Sequence, residues 1–185
     1  MTTVLKRLPS SALALMLLTL TGWPTLAETT ADTLLDRIRI EDMMVKYYAD
    51  LGGTDAKAYA EFYTEDGVFE VNGDTYVGKA AITKLYAGLG GGVAEDAPVL
   101  HMMLTNPVID VKGDTATASF IWTGVVNGDP VKPPFVREQG REYDKLVKRN
   151  GKWLIKKRVI IADSGLPKSM LDTWKRKLDY DINAK

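Results

Sequence analysis

The chain contains no cysteine and only one histidine, His101. Structural and catalytic transition-metal sites usually draw several ligands from those two residue types, so no metal centre is expected. A disulfide framework is excluded outright. No charge of either sign prevails, because 24 Lys and Arg face 24 Asp and Glu. That balance lacks the basic footprint of a nucleic-acid binder. The longest apolar run, "SALALMLLTL" from Ser11 to Leu20, falls well short of the roughly 20 residues that span a bilayer. The glycine-rich stretch over 88–98, "GLGGGVAEDAP", is not followed by Gly-Lys-Ser or Gly-Lys-Thr. It therefore reads as a mobile loop rather than a phosphate cradle.

The apolar run has a different reading. Lys6 and Arg7 precede it, Trp23-Pro24 interrupts it, and Thr25-Leu26-Ala27 supplies small residues for cleavage. This is the pattern of a secretory signal over 1–27, cut after Ala27, which implies a periplasmic or secreted protein. An uncleaved anchor or a buried helix is the alternative. Residues 28–185 then form one domain, with no linker, no internal repeat and a slight acidic excess.

Thr33-Leu34-Leu35-Asp36 has the form of a capping box. A helix is expected from there to about Leu51, ended by Gly52-Gly53. Ile40, Met44, Tyr47 and Leu51 make one apolar stripe and Ile38, Val45 and Tyr48 a neighbouring one. A shorter helix is expected from Thr54 to about Tyr63. A hairpin turning at Asn72-Gly73-Asp74 follows, then a third helix from Lys79 to about Ala87. Four strand-like runs come next: Val99 to Val111, Thr115 to Val126, Val136 to Lys148, and Lys152 to Ala162. The proline-rich connection "NGDPVKPPF" is expected at a pocket mouth. A final helix is expected from Pro167 to about Leu178. Helices first and a meander second predict an α+β domain, a bent antiparallel sheet covered by the N-terminal helices around an apolar space.

Several stretches, taken in order, are similar to a known family. They are Lys46-Tyr47-Tyr48-Ala49-Asp50, "FYTEDGVFE", "NGDTYVGKAAI", "HMMLTNPVIDVKGDTATASFIW" and "YDKLVKRNGKWLIKKRVI". Across about residues 33–163 the chain resembles the SnoaL-like group of the nuclear transport factor 2-like superfamily. The resemblance implies a cone-like α+β barrel with an apolar cavity, often assembled as a homodimer or homotrimer. It also implies chemistry without metal or organic cofactor. Enzymes of the superfamily include scytalone and bile-acid dehydratases, ketosteroid isomerase, polyketide cyclases and lyases that release formaldehyde from lignin-derived dimers. In the dehydratases a tyrosine of the first helix, an aspartate five residues later and a strand histidine share the cavity. The resemblance puts Tyr47 on the tyrosine and His101 on the histidine. The aspartate position falls on Gly52; Asp50 is near it but at another helical angle.

The candidate site follows from both readings. His101 is either an incidental strand-end residue or an acid/base group that titrates near neutrality. Alternation places it with Met103, Thr105 and Ile109. Tyr47 is either a core tyrosine or a proton donor, and Tyr48 beside it is read mainly as packing. In the third meander strand Arg137, Gln139, Arg141, Tyr143 and Lys145 share one face, while Glu138, Glu142 and Asp144 share the other. Arg141 and Tyr143 are favoured inside, as oxyanion donors, with Lys145 further along. A bulge at Gly140 would exchange the faces. Phe120 and Trp122 suit either the core or an aromatic ligand. The catalytic set is thus Tyr47, His101, Arg141 and Tyr143, with Tyr48, Asp50, Met103, Phe120, Trp122 and Lys145 around the ligand. The expected function is a cofactor-independent lyase for a hydroxylated aromatic or polycyclic compound, acting by dehydration or by formaldehyde-releasing C–C cleavage. A non-catalytic binding module and a ketosteroid-isomerase-like enzyme are the alternatives. The expected partner is a hydrophobic small molecule, not nucleic acid.

Overall fold

A computed structural model describes residues 30–49, 56–90, 98–165, 168, 174–177 and 179–184. The expected signal, Asp50, Gly52 and most of the glycine-rich loop lie outside them. Helices α1 (Ala31–Ala49), α2 (Ala56–Ala60) and α3 (Lys79–Gly90) accompany strands β1 (Tyr63–Val71), β2 (Asp74–Val77), β3 (Val99–Lys112), β4 (Thr115–Asn127), β5 (Phe135–Arg149) and β6 (Lys152–Ser164). The strands form one curved, open sheet in the order β2-β1-β6-β5-β4-β3. The α+β reading and the meander agree with this. The sheet does not close into a barrel, and its β1–β6 pairing is parallel, which local periodicity does not reveal.

Two hairpins turn on Asn-Gly pairs with positive φ, Asn72-Gly73 and Asn150-Gly151. That geometry matches the right-handed strand twist. Helix α1 lies on the inner face of the sheet through Ile40, Met44, Tyr47 and Tyr48. The described residues of the first expected stripe are buried, and of the second only Tyr48 is. Ile38 and Val45 are exposed, because a helix on one sheet offers a single face to it. The capping box also differs. The Thr33 hydroxyl accepts from the Thr30 backbone N–H at 3.0 Å, so the helix starts earlier. Asp36 leaves the cap, accepting from Trp153 Nε1 at 3.1 Å and Lys148 Nζ at 2.6 Å. It ties α1 to β5 and β6.

The outer face of β5 and β6 is covered by the C-terminal segment, where Ile182 and Tyr180 pack on Val159, Ile161 and Tyr143. The expected final helix lies mostly outside the described residues, and Trp174 to Lys177 have no regular structure. Trp174 instead donates its indole N–H to the Ala162 carbonyl at 2.9 Å.

Candidate active site

Between α1 and the inner sheet face is a cavity of about 150 Å³. Its walls are Tyr47, Tyr48, Phe69, Tyr86 and Trp122, with Met102 and Ile160 between them and Glu138 as the carboxylate in the lining. That volume matches an engineered apolar cavity known to hold benzene, so it suits one aromatic ring. None of the proline-rich residues 128–134 lines it, contrary to the expected pocket-mouth loop.

Beneath the aromatic wall lies a charged group that is fully buried: Glu142, Asp144 and Arg158, each 0% exposed. Inward positions of β5 are Gly140, Glu142, Asp144 and Leu146, and Asp144 stands directly opposite Arg158 of β6. Arg158 Nε donates to Asp144 Oδ1 at 2.8 Å, and its Nη2 lies 3.0 Å from Glu142 Oε1. The guanidinium also covers the Tyr47 ring at 4.0 Å from its centroid. Two carboxylates and one guanidinium cannot all be ionised here without a surplus negative charge in a dry interior, and protonation is the cheaper outcome. Burial accordingly pushes Glu142 well above the usual glutamate range, opposed by Arg158 and reinforced by Asp144. Burial therefore favours the protonated form of Glu142.

The Tyr48 hydroxyl meets Glu142 Oε2 in a hydrogen bond. Tyr48 thus connects the buried acid to the cavity that its own ring lines. The Tyr47 hydroxyl bonds that of Tyr86 and lies 3.4 Å from that of Tyr63. Burial raises Tyr47 to about 12 and carries Tyr48 and Tyr63 well above the ordinary phenol value. These groups are neutral hydroxyl donors, not phenolates.

The structure brings Tyr47, Tyr48, Phe120 and Trp122 inside and puts the other described candidates elsewhere. His101 and Met103 are exposed on the outer face of β3, while Met102 and Leu104 point inward. Alternation groups residues correctly but does not say which group is inside. A register shift between Thr105 and Val108, with Asn106 at φ 53°, then returns Ile109 to the core. Arg141 and Tyr143 are also outside. Arg141 pairs with Asp163 at 2.8 and 2.9 Å, and Tyr143 packs on Tyr180 with ring centroids 5.1 Å apart. Lys145 is on that face too, opposite Thr117 and Lys157. The irregularity near Gly140 affects pairing with β6 and leaves the alternation from Glu138 to Leu146 unbroken, so Arg141, Tyr143 and Lys145 stay outside. The missed residues are Glu138, Glu142, Asp144 and Arg158. Their signal was present: Glu142 and Asp144 alternate with Leu146, which is a core residue.

Among the described residues no cluster of three or more His, Cys, Asp or Glu is placed to hold a metal ion. No helix there is long and apolar enough to cross a membrane.

Solved structures give the fold independent support. A protein of unknown function from Mycobacterium tuberculosis superposes with a TM-score of 0.61 at 23% identity, covering 71% of this chain and 74% of that one. A protein from Novosphingobium aromaticivorans, provisionally assigned as a scytalone dehydratase, gives 0.61 at 22% identity, covering 73% and 89%. ActVI-ORFA from Streptomyces coelicolor gives 0.60 at 20% identity, covering 68% and 96%. At these identities the likeness establishes the fold alone. No curated protein matches the chain significantly. The family model described as the SnoaL-like domain matches residues 32–159, and the chain belongs to that family.

Proposed function

We propose that this protein is a cofactor-independent lyase that eliminates water from a hydroxylated aromatic compound by general acid catalysis in the α1–sheet cavity. One observation carries the reading. A buried glutamate, Glu142, whose burial favours its protonated form, is hydrogen-bonded to Tyr48, whose ring lines an aromatic-walled cavity. Tyr48 donates to Glu142 Oε2; with a proton placed on that oxygen, Glu142 donates to the Tyr48 oxygen instead, and the Tyr48 O–H turns towards the ligand. Tyr48 then gives its proton to the leaving hydroxyl as the C–O bond breaks, and Glu142 replaces that proton. Solvent water takes the proton from the adjacent carbon, whose electron pair forms the new double bond; water departs, and Glu142 regains its proton from solvent. The Tyr47–Tyr86 hydroxyl pair offers a second donor at the same wall. The general-acid contribution of such a positioned group is typically 10²- to 10⁴-fold. The family contains enzymes of this type, and an aromatic-walled cavity suits the ring.

A second reading has a specific observation behind it. A neutral carboxylic acid beside a tyrosine hydroxyl is also the arrangement that stabilises an enolate in ketosteroid isomerase. The isomerase also needs a carboxylate base in the cavity, and Glu138 is the carboxylate in the lining. Cleavage with formaldehyde release is a third outcome of the same acid.

The test is turnover of a panel of hydroxylated mono- and polycyclic aromatics and lignin-type dimers, followed by ultraviolet absorbance for new conjugation and by formaldehyde release. Glu142→Gln and Tyr48→Phe should each lower turnover at least a hundredfold, and His101→Ala should leave it within about twofold of wild type. Full activity in Tyr48→Phe, or its loss in His101→Ala, would sink the assignment. Tight ligand binding with no turnover by the wild type would indicate a binding module instead.

A further inference from the structure

Glu138 is the one carboxylate among the described residues lining the cavity. It sits two residues from Gly140 along β5, on the same inner face as Glu142. Two glycines hold it there. Gly124 is its direct cross-strand partner. A Cβ on Gly124 would come within 2.8 Å of Glu138 Cγ and 3.1 Å of its Oε1. The carboxylate therefore lies over the bare backbone of Gly124. On the other side Gly165, at φ 82°, approaches so closely that a Cβ would fall 2.5 Å from Glu138 Cα. No other described residue forms an ion pair or hydrogen bond with the Glu138 carboxylate. Trp122, opposite Gly140, is the diagonal neighbour of Glu138 on β4, within reach of one ligand ring.

We infer that Glu138 is the ligand-binding carboxylate of this cavity and accepts the hydrogen bond of a hydroxyl group carried on a single aromatic ring. Gly124 is its positioning residue. This rests on the cavity being the functional site, and it deepens the proposed function by naming the substrate's recognised group. A carboxylate that no other described residue pairs, set beside apolar rings, offers an acceptor to the ligand. A neutral hydroxyl provides one and leaves the ring free to pack on Tyr86, Phe69 and Trp122. A methyl in its place fills the same space and leaves the carboxylate unmatched.

The experiment is calorimetric titration of the full chain with phenol, toluene and benzylammonium, with near-ultraviolet circular dichroism to check each variant's fold. Wild type should bind phenol at least tenfold more tightly than toluene, as a charge-assisted hydrogen bond implies. Glu138→Met should abolish that preference and keep the affinity for toluene. Gly124→Ala, which removes no charge, should reduce the preference in the same way. The proposal is overturned if wild type does not distinguish phenol from toluene, or if the preference survives in Glu138→Met. It is overturned equally if benzylammonium binds more tightly than phenol and loses that binding in Glu138→Met, which marks a cation site. Failure of all three probes to bind overturns it together with the cavity reading. Survival of the phenol preference in Glu138→Met overturns it alone.

Discussion

At the residue scale the decisive feature is Arg158. One guanidinium holds Asp144, contacts Glu142 and covers Tyr47, all of them buried. Removing it leaves uncompensated carboxyls in the core, which typically costs 3–5 kcal/mol. Arg158→Met should therefore lose about that much in urea unfolding, and a variant within about 1 kcal/mol of wild type would contradict the ion-pair account. Glu142 has the opposite balance. Its folded form keeps a proton that the unfolded chain releases above about pH 4.3, the ordinary glutamate value. Folding stability therefore falls as pH rises from that value towards its raised folded-state pKa. Glu142→Gln should flatten that decline and melt at a higher temperature than wild type at neutral pH. An unchanged slope between pH 5 and 8 would count against a buried acid.

At the element scale, the site depends on how α1 is fastened to the sheet. Asp36 is held low by its hydrogen bonds to Lys148 and then Trp153, against the cost of burial. Its contribution is present above the ordinary aspartate pKa and is lost as pH falls through the lowered value. Asp36→Asn should cost roughly 1–3 kcal/mol at pH 7 and remove part of the acid sensitivity, measured by denaturant titration at pH 7 and again below the ordinary aspartate pKa of about 3.9. Sequence reading succeeded best at this scale. The β3 to β6 runs, the Asn-Gly hairpins and the Ile40/Met44/Tyr47 stripe are written in local periodicity. It failed where a choice depended on the rest of the molecule. Arg141/Tyr143 and Glu142/Asp144 alternate equally well, and hydrophobicity argued for keeping the acids outside. Arg158, from a different strand, reverses that argument by neutralising them, and its partnership with Asp144 is visible only once β5 and β6 are in register. The same limit misplaced His101: period two separates faces, but the helix that covers one of them decides which is the interior.

At the scale of the whole molecule, the inner face holds the aromatic cavity, while the outer face carries exposed residues at one end of β3 to β5. His101 lies there in a row with Val125 and Val136, near exposed Val99 and Met103. We propose that the protein assembles as a homodimer or homotrimer, as the family resemblance implied, and that this apolar face takes part. Sedimentation velocity should show a species larger than one chain, reduced to a monomer by Met103→Lys with Val136→Lys. A monomeric wild type would refute it. On these two proposals the faces divide the work, with chemistry inside and assembly outside. The internal half of that claim rests on the protonation of one buried side chain. The most direct measurement is infrared spectroscopy of the folded protein at pH 7, comparing wild type with Glu142→Gln. The account predicts a carboxylic-acid C=O band in the wild type that disappears in the variant; a wild type with only carboxylate absorption, or an acid band that persists in Glu142→Gln, would contradict it.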